Sequence, residues 1–164
     1  MEINKKNLTR IKLVSILVLG LFAISLILSQ KANPDNLILF PLKRTQENVY
    51  LNLKNNPKDK LDYMSTLLDR RLEELDSMVR TKSYCCILNA SLRYSTLAGQ
   101  ITENIEVNNM KDIIPSLVSK FQNHKKVLQD IYEIYPKNTE NMEYKYIEDD
   151  LNYLDLYIDK LSKI

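Results

Sequence analysis

Few residues in this chain have the types and spacing that catalysis or metal binding requires. His124 is the single histidine and has no histidine or cysteine at metal-ligand spacing, so we expect a structural or exposed side chain. Glu148, Asp149 and Asp150 are consecutive, and consecutive side chains on a helix point in different directions. The acidic run is therefore predicted to be a solvated helix face, with no metal and no cofactor.

The two cysteines, Cys85 and Cys86, are adjacent, and neighbours on a helix cannot easily form a disulfide with each other. Two alternatives stay open: buried or free thiols, or one intermolecular disulfide in an oxidising exterior. The sequence also has no glycine-rich phosphate loop, no serine–histidine–aspartate set and no nucleophile elbow. We predict no catalytic residues, no evident small-molecule substrate, and a protein that is not an enzyme.

Tyrosines are concentrated in the C-terminal third of the chain. Six of the ten are found there: Tyr132, Tyr135, Tyr144, Tyr146, Tyr153 and Tyr157. One interpretation is ordinary amphipathic packing, and the other is a protein-binding surface, where tyrosine is enriched. Of these, Tyr144, Tyr153 and Tyr157 are expected to stay partly exposed beside the apolar stripe of the last helix.

The positive charge of the chain belongs to its N-terminal tail. The formal net charge is +2, but residues 1–12 hold four of the 23 basic and one of the 21 acidic side chains. The remaining residues therefore carry a net charge of about −1. Because nucleic-acid binding needs a concentrated basic face, no nucleic-acid partner is predicted.

Residues 13–29 form a run of seventeen residues without a charge. At about 1.5 Å per residue this run just suffices to cross a hydrocarbon core, so the lipid bilayer is its predicted partner. Basic residues before the run place residues 1–12 in the cytoplasm and the rest outside. We predict a cytoplasmic tail (1–12), a transmembrane signal anchor (13–29), a short linker (30–40) and an extracytoplasmic helical domain (41–164). The alternative, a cleaved signal peptide, has only poor cleavage sites.

The body of the chain predicts an all-α fold. Only two glycines occur, which disfavours hairpin-rich β folds. Five helical segments are expected: about residues 41–54, a long helix capped by Asn56 with Pro57, residues 83–107, a helix from Asp112, and one from near Thr139. Their apolar stripes include Leu42, Val49, Tyr50 and Leu53; Leu61, Met64, Leu68, Leu72, Leu75 and Val79; and Ile147, Leu151, Leu154, Ile158 and Leu161. Short loops favour antiparallel neighbours in a helical hairpin or bundle, partly coiled-coil in character. Arg70, Arg71, Glu73 and Glu74 are expected to form solvated salt bridges.

Four short motifs follow one another in residues 33–80: Pro34-Asp35, Phe40-Pro41-Leu42-Lys43-Arg44, Asn56-Pro57-x-x-Lys60 and Leu68-x-Arg70-Arg71-Leu72-x-Glu74. Together they resemble a bacterial membrane-anchored family, the domain of unknown function 5667 type. The chain departs from the family pattern at the more apolar Leu37-Ile38-Leu39-Phe40 and at Asp69, where a glutamate is usual. The resemblance implies an extracytoplasmic helical module of unknown activity. The sigma-factor control of some relatives is not carried over, because a twelve-residue tail cannot fold into a regulatory segment.

The apolar stretch from Leu37 to Leu42 has two possible positions. It folds back as a lid on the long helix, which we favour, or it sits in the lipid headgroup layer with Lys43 and Arg44 near phosphates. The function that fits these features is a membrane-tethered interaction or structural module with an unknown protein partner. The alternative is a sensor or regulatory subunit of an envelope signalling system.

Overall fold

The computed structural model describes residues 5–30, 32, 34, 36–137 and 142–164, with side chains from residue 12 onward. Its α-helices are α1 (Lys5–Ser29), α2 (Leu39–Leu53), α3 (Pro57–Arg80), α4 (Ile87–Val107), α5 (Ile114–Ile134) and α6 (Tyr144–Ser162). Short 3-10 helices, Tyr84–Cys86 and Lys111–Ile113, precede α4 and α5. No strand occurs among the described residues, and the predicted all-α class is confirmed. Asp35 and the predicted helix start at Thr139 lie outside the described residues.

Helix α1 contains the predicted apolar run and extends it towards the N-terminus. Its segment Lys12–Ser29 has a mean hydropathy of 2.4 and is long and apolar enough to cross a membrane. The large apolar side chains from Leu13 to Leu28, apart from the half-buried Leu26, are each at least 54% exposed. This helix therefore presents apolar surface on all sides, as a lipid-embedded helix does.

The chain divides into two compact units, residues 1–49 and residues 50–164. The first unit contains α1 and most of α2. Asn36 caps the start of α2, because its side-chain oxygen accepts from the amide of Leu39 at 2.8 Å. The helix consequently begins at Leu39, two residues before the predicted start near residue 41.

The second unit is built from α3, α4, α5 and α6, which we call the four-helix core. Asn56 caps α3 by accepting from the Lys58 amide at 2.9 Å, and Pro57 occupies the first turn, as predicted. Helix α3 packs against α4 and α5, and α6 packs against the same two helices. The four helices therefore enclose a common interior.

Neighbouring helices in the four-helix core are not all antiparallel. The short connections make α3–α4 and α5–α6 antiparallel hairpins, as expected. Helices α3 and α5 instead run parallel. Three salt bridges occur in the same order along both segments of the chain: Lys58 to Asp112, Asp69 to Lys120 and Arg80 to Asp130. Helices α4 and α6 are also parallel, joined by Ser91 to Tyr146, Ser95 to Tyr157 and Glu106 to Lys160. Two hairpins thus lie side by side with matching directions.

The predicted stripes of the long helices form the interior. Leu68, Leu75, Ile147 and Leu154 are fully buried, and the same core includes Tyr94, Phe121 and Leu128 from the remaining helices. These stripes repeat every three to four residues, so each helix turns one continuous apolar face inward. The spacing of the apolar residues therefore predicts which segments of the chain form the four-helix core.

Helix α2 buries a different face from the one predicted. Val49, Tyr50 and Leu53 are more than half exposed, whereas Lys43 and Glu47 are almost fully buried. The predicted apolar stripe of this helix is therefore its open side. The lid interpretation also fails for Leu37 and Ile38, which are 89% and 81% exposed, although Phe40 is buried.

The charged residues of α3 are only partly solvated. Arg70 and Glu73 are exposed as expected, but Arg71 and Glu74 are almost completely buried. The Arg71 guanidinium donates to both Glu74 carboxylate oxygens, at 2.9 and 3.1 Å. The pair forms the expected salt bridge at a spacing of three residues, but the solvated interpretation is wrong for it, because both side chains are buried.

Candidate functional site

A chain of polar side chains connects three helices of the four-helix core. The Tyr94 hydroxyl on α4 lies 3.0 Å from Nδ1 of His124 on α5. The other ring nitrogen, Nε2, lies 3.0 Å from the Asp69 carboxylate on α3. Lys120, one helical turn before His124, donates to the same carboxylate at 2.8 Å. We call these four residues the polar chain.

The protonation state of the polar chain follows from its burial. Burial lowers the pKa of His124, and the neighbouring Asp69 carboxylate only partly offsets this effect. The neutral ring then donates from Nε2 to Asp69 and accepts at Nδ1 from Tyr94. Burial also raises the pKa of Tyr94 above its ordinary range, so the hydroxyl keeps its proton.

This geometry suits a cross-brace between helices. Both His124 nitrogens are engaged, and the Tyr94 ring is fully buried. The polar chain reaches solvent at its outer end, where the Asp69 side chain is 43% exposed and the Lys120 side chain is 28% exposed. A proton accepted at Nδ1 of His124 would reverse this hydrogen bond, with the Tyr94 hydroxyl oxygen then accepting from the ring.

A small cavity lies beside Lys120, with a volume of about 110 Å³. Its lining residues are Leu61, Asp62, Ser65, Ile101, Ile105, Ile113, Ser116, Leu117 and Lys120. Drug-sized ligands need pockets of roughly 300 Å³ or more, and one water takes about 30 Å³. The cavity has the volume of a few water molecules.

A second buried polar group, Asp150, projects from α6. Its carboxylate is 99% buried and lies near the hydroxyls of Ser91 and Ser95 on α4. Those hydroxyls also donate to the carbonyls of Tyr146 and Ser91. Burial raises the pKa of Asp150 to about 8, although the nearby hydroxyls act in the opposite direction.

The residues singled out by sequence have mixed positions. His124 is structural and buried, one of the two positions predicted for it. Glu148 and Asp149 are exposed as expected, but the solvated interpretation is wrong for Asp150. The signal for its burial was present, because Asp150 follows Ile147 by three residues and precedes Leu154 by four. It therefore occupies the apolar stripe itself.

The two cysteines lie in the 3-10 helix Tyr84–Cys86 and are both in the thiol form. Cys85 is exposed and Cys86 is half-buried. Their sulfurs are 2.9 Å apart, beyond the roughly 2.05 Å of a disulfide bond. Among the described residues, no group of three histidine, cysteine, aspartate or glutamate side chains is arranged to hold a metal ion.

Most of the C-terminal tyrosines are packing residues. Tyr135 is 3% exposed, and Tyr132, Tyr144 and Tyr146 are half-buried. Tyr157 fits over Gly99, where an added Cβ would lie 2.7 Å from the tyrosine hydroxyl oxygen. Of the six, only Tyr153 is exposed, at 46%. Tyr144, Tyr153 and Tyr157 are therefore partly exposed as expected, although Tyr144 and Tyr157 also pack against the core.

Comparison with known proteins gives a family and no function. No curated protein and no solved structure matches the chain. Residues 31–142 match the family described as Domain of unknown function (DUF5667), which extends the resemblance at residues 33–80 through α5. Because this match covers more than half of the chain, the protein belongs to the DUF5667 family.

Proposed function

We propose that this protein is anchored by α1 in the cell membrane and holds an antiparallel-hairpin helical bundle outside the cytoplasm. The bundle acts by binding a protein partner. The observation that carries the anchor is the exposure of apolar side chains all around α1. Removing such a surface from water is favourable by roughly 25 cal/mol per Å², which a bilayer supplies. The four-helix core contains its own interior and does not use α1 to complete it.

Orientation is proposed from charge. Four basic residues precede the apolar run within the first twelve residues, which favours a cytoplasmic N-terminus. A periplasm-active phosphatase fused after Ile164 is expected to be active in cells. Activity of a cytoplasm-only reporter at the same position would contradict the proposed orientation.

Binding is favoured over catalysis by the engagement of the polar groups. His124 uses both ring nitrogens within the protein. The exposed apolar side chains of α6, Tyr153 and Leu156, are three residues apart and share one helix face. Exposed aromatic and aliphatic side chains of this kind are the usual anchors of protein interfaces.

Photo-crosslinking in intact membranes tests this face. A photoreactive residue at Leu156 is expected to give a discrete cross-linked product with a second protein. The matched control is the same residue at Glu133, an exposed polar position on α5. Products at both positions, or at neither, would remove the α6 face as the binding surface.

A second candidate function, a sensor subunit, is favoured by Asp150. This carboxyl is buried between α4 and α6, and its pKa of about 8 falls in the physiological range. A buried group that ionises there makes the stability of the bundle depend on pH. Denaturant titration of the parent and of Asp150→Asn at different pH values measures this coupling.

A further inference from the structure

Helix α2 has an apolar side that the described residues leave largely exposed. At 3.6 residues per turn, Leu42, Val49, Tyr50 and Leu53 fall in one sector of the helix, which we call the open sector. Leu42 is half-buried, while Val49, Tyr50 and Leu53 are 52%, 59% and 68% exposed. Most of the surface of these three side chains is exposed, although the Tyr50 ring lies 6.2 Å from the ring of Tyr63 on α3.

The position of the open sector is fixed by Gln46, which lies within it. The Gln46 side chain donates to the carbonyl of Leu26 at 3.3 Å and to the Ser29 hydroxyl at 3.0 Å. Lys43, at the edge of the sector, donates to the Ala32 carbonyl at 3.2 Å. Carbonyls at a helix end lack intrahelical partners, and α2 supplies some of them for α1.

These contacts bring the open sector to the end of the membrane helix. Leu26 belongs to the apolar run, so a side chain bonded to its carbonyl lies at the edge of the hydrocarbon layer. Leu42 precedes Gln46 by one turn and Val49 follows it by one turn. Gln46, which joins α2 to α1, therefore lies between Leu42 and Val49 within the open sector, whereas Lys43 and Glu47 lie on the buried side of the helix.

We propose that α2 is an interfacial helix, with its open sector inserted into the outer leaflet of the bilayer that α1 spans. This inference rests on the proposed membrane anchor. Amphipathic helices of this type bury their apolar face about 5–10 Å into the boundary between headgroups and acyl chains. The exposure of Leu37 and Ile38, directly before α2, fits the same placement. The headgroup alternative for this stretch is thus favoured over the lid, with Lys43 bound to the Ala32 carbonyl.

Tryptophan fluorescence in lipid tests the proposal, because the chain contains no tryptophan. The full chain is reconstituted into phosphatidylcholine vesicles whose acyl chains carry bromine, a short-range quencher. Val49→Trp reports on the open sector. Asn48→Trp is the matched control, since Asn48 is exposed, lies at the same height and points about 100° away. Phe22→Trp reports on the anchor itself.

The expected result is strong quenching of Phe22→Trp and quenching of Val49→Trp at least about twofold greater than that of Asn48→Trp. Equal quenching of Val49→Trp and Asn48→Trp, with Phe22→Trp quenched, would overturn the interfacial helix and leave the anchor intact. Absence of quenching in Phe22→Trp would overturn the anchor and the proposal together. Leu53→Trp repeats the measurement at a second exposed site, and circular dichroism confirms that each variant is helical.

Discussion

Helices α2 and α6 have similar amphipathic patterns and opposite burial. In α6 the apolar stripe faces inward, and Leu154 is fully buried. In α2 the apolar stripe faces outward, with Leu53 68% exposed, while Lys43 and Glu47 occupy the buried side. An apolar stripe therefore identifies a surface that is removed from water, but it does not show which neighbour covers that surface.

The largest expected difference in stability between α2 and the four-helix core comes from a buried charge. In a fragment of residues 33–164, Leu68→Asp places an unpaired carboxylate at a fully buried position of α3. The cost is expected to exceed about 4 kcal/mol, enough to abolish cooperative unfolding. Thermal melting followed by circular dichroism measures this loss.

Val49→Asp is the matched change on the exposed side of α2. The melting of the fragment is expected to stay within about 0.5 kcal/mol of the parent, as for other exposed positions. If Val49→Asp also abolished cooperative melting, α2 would be packed through its apolar face. The contrast between the two helices would then be wrong.

A smaller effect is expected from truncating one leucine in each region. Leu154→Ala removes a fully buried side chain and leaves a cavity, so we expect a loss of about 2–5 kcal/mol in the free energy of unfolding. Leu53→Ala is expected to change the same quantity by less than about 0.5 kcal/mol. Urea titration of both variants of the fragment gives the two values, and equal losses would contradict the assignment of an open sector.

The smallest expected effect is the pH dependence of stability caused by Asp150, a charged residue within the α6 stripe. The pKa of Asp150 is raised from 3.8 to about 8 in the folded protein, so the fold holds a proton that the unfolded chain releases above pH 4. Stability from this group is therefore lost as the pH rises towards 8, by about 1.4 kcal/mol per pH unit. His124 acts in the opposite direction, since its lowered pKa destabilises the fold only below its ordinary value of 6.5.

The window from pH 6.5 to 8 isolates the contribution of Asp150. The parent fragment is expected to lose about 2 kcal/mol there by denaturant titration. Asp150→Asn cannot ionise, and its stability is expected to be nearly constant over the same interval. A parallel decline in both proteins would assign the pH dependence to other groups and remove the basis for the sensor role.

Sequence reasoning worked where a pattern is local. Asn56 and Pro57 predicted the start of α3, and the stripe from Leu61 to Val79 predicted its buried face. Capping and periodicity depend on residues within one or two turns, so both can be found along the chain. The start of α2 was missed because Asn36 caps it from beyond an apolar stretch.

Reasoning from sequence failed where a polar group depends on another helix. Asp69, His124 and Tyr94 are separated by at least 25 residues, and the parallel packing of α3 and α5 brings two of them together. Asp150 stands in an apolar stripe, yet its burial depends on α4 lying against α6. Short loops predicted the antiparallel pairs but carried no information on the parallel ones.

The sequence by itself determined the helical class, the start of α3 and the apolar segment from residue 13 to 29, because these follow from local periodicity, capping and length. Tertiary structure decided the direction of neighbouring helices, the union of His124 with Asp69 and Tyr94, and the outward apolar side of α2. The physical reason is that a side chain's burial and pKa depend on every element packed against it. The sequence pattern of a helix predicts which of its faces is apolar, and it does not predict which neighbour covers that face.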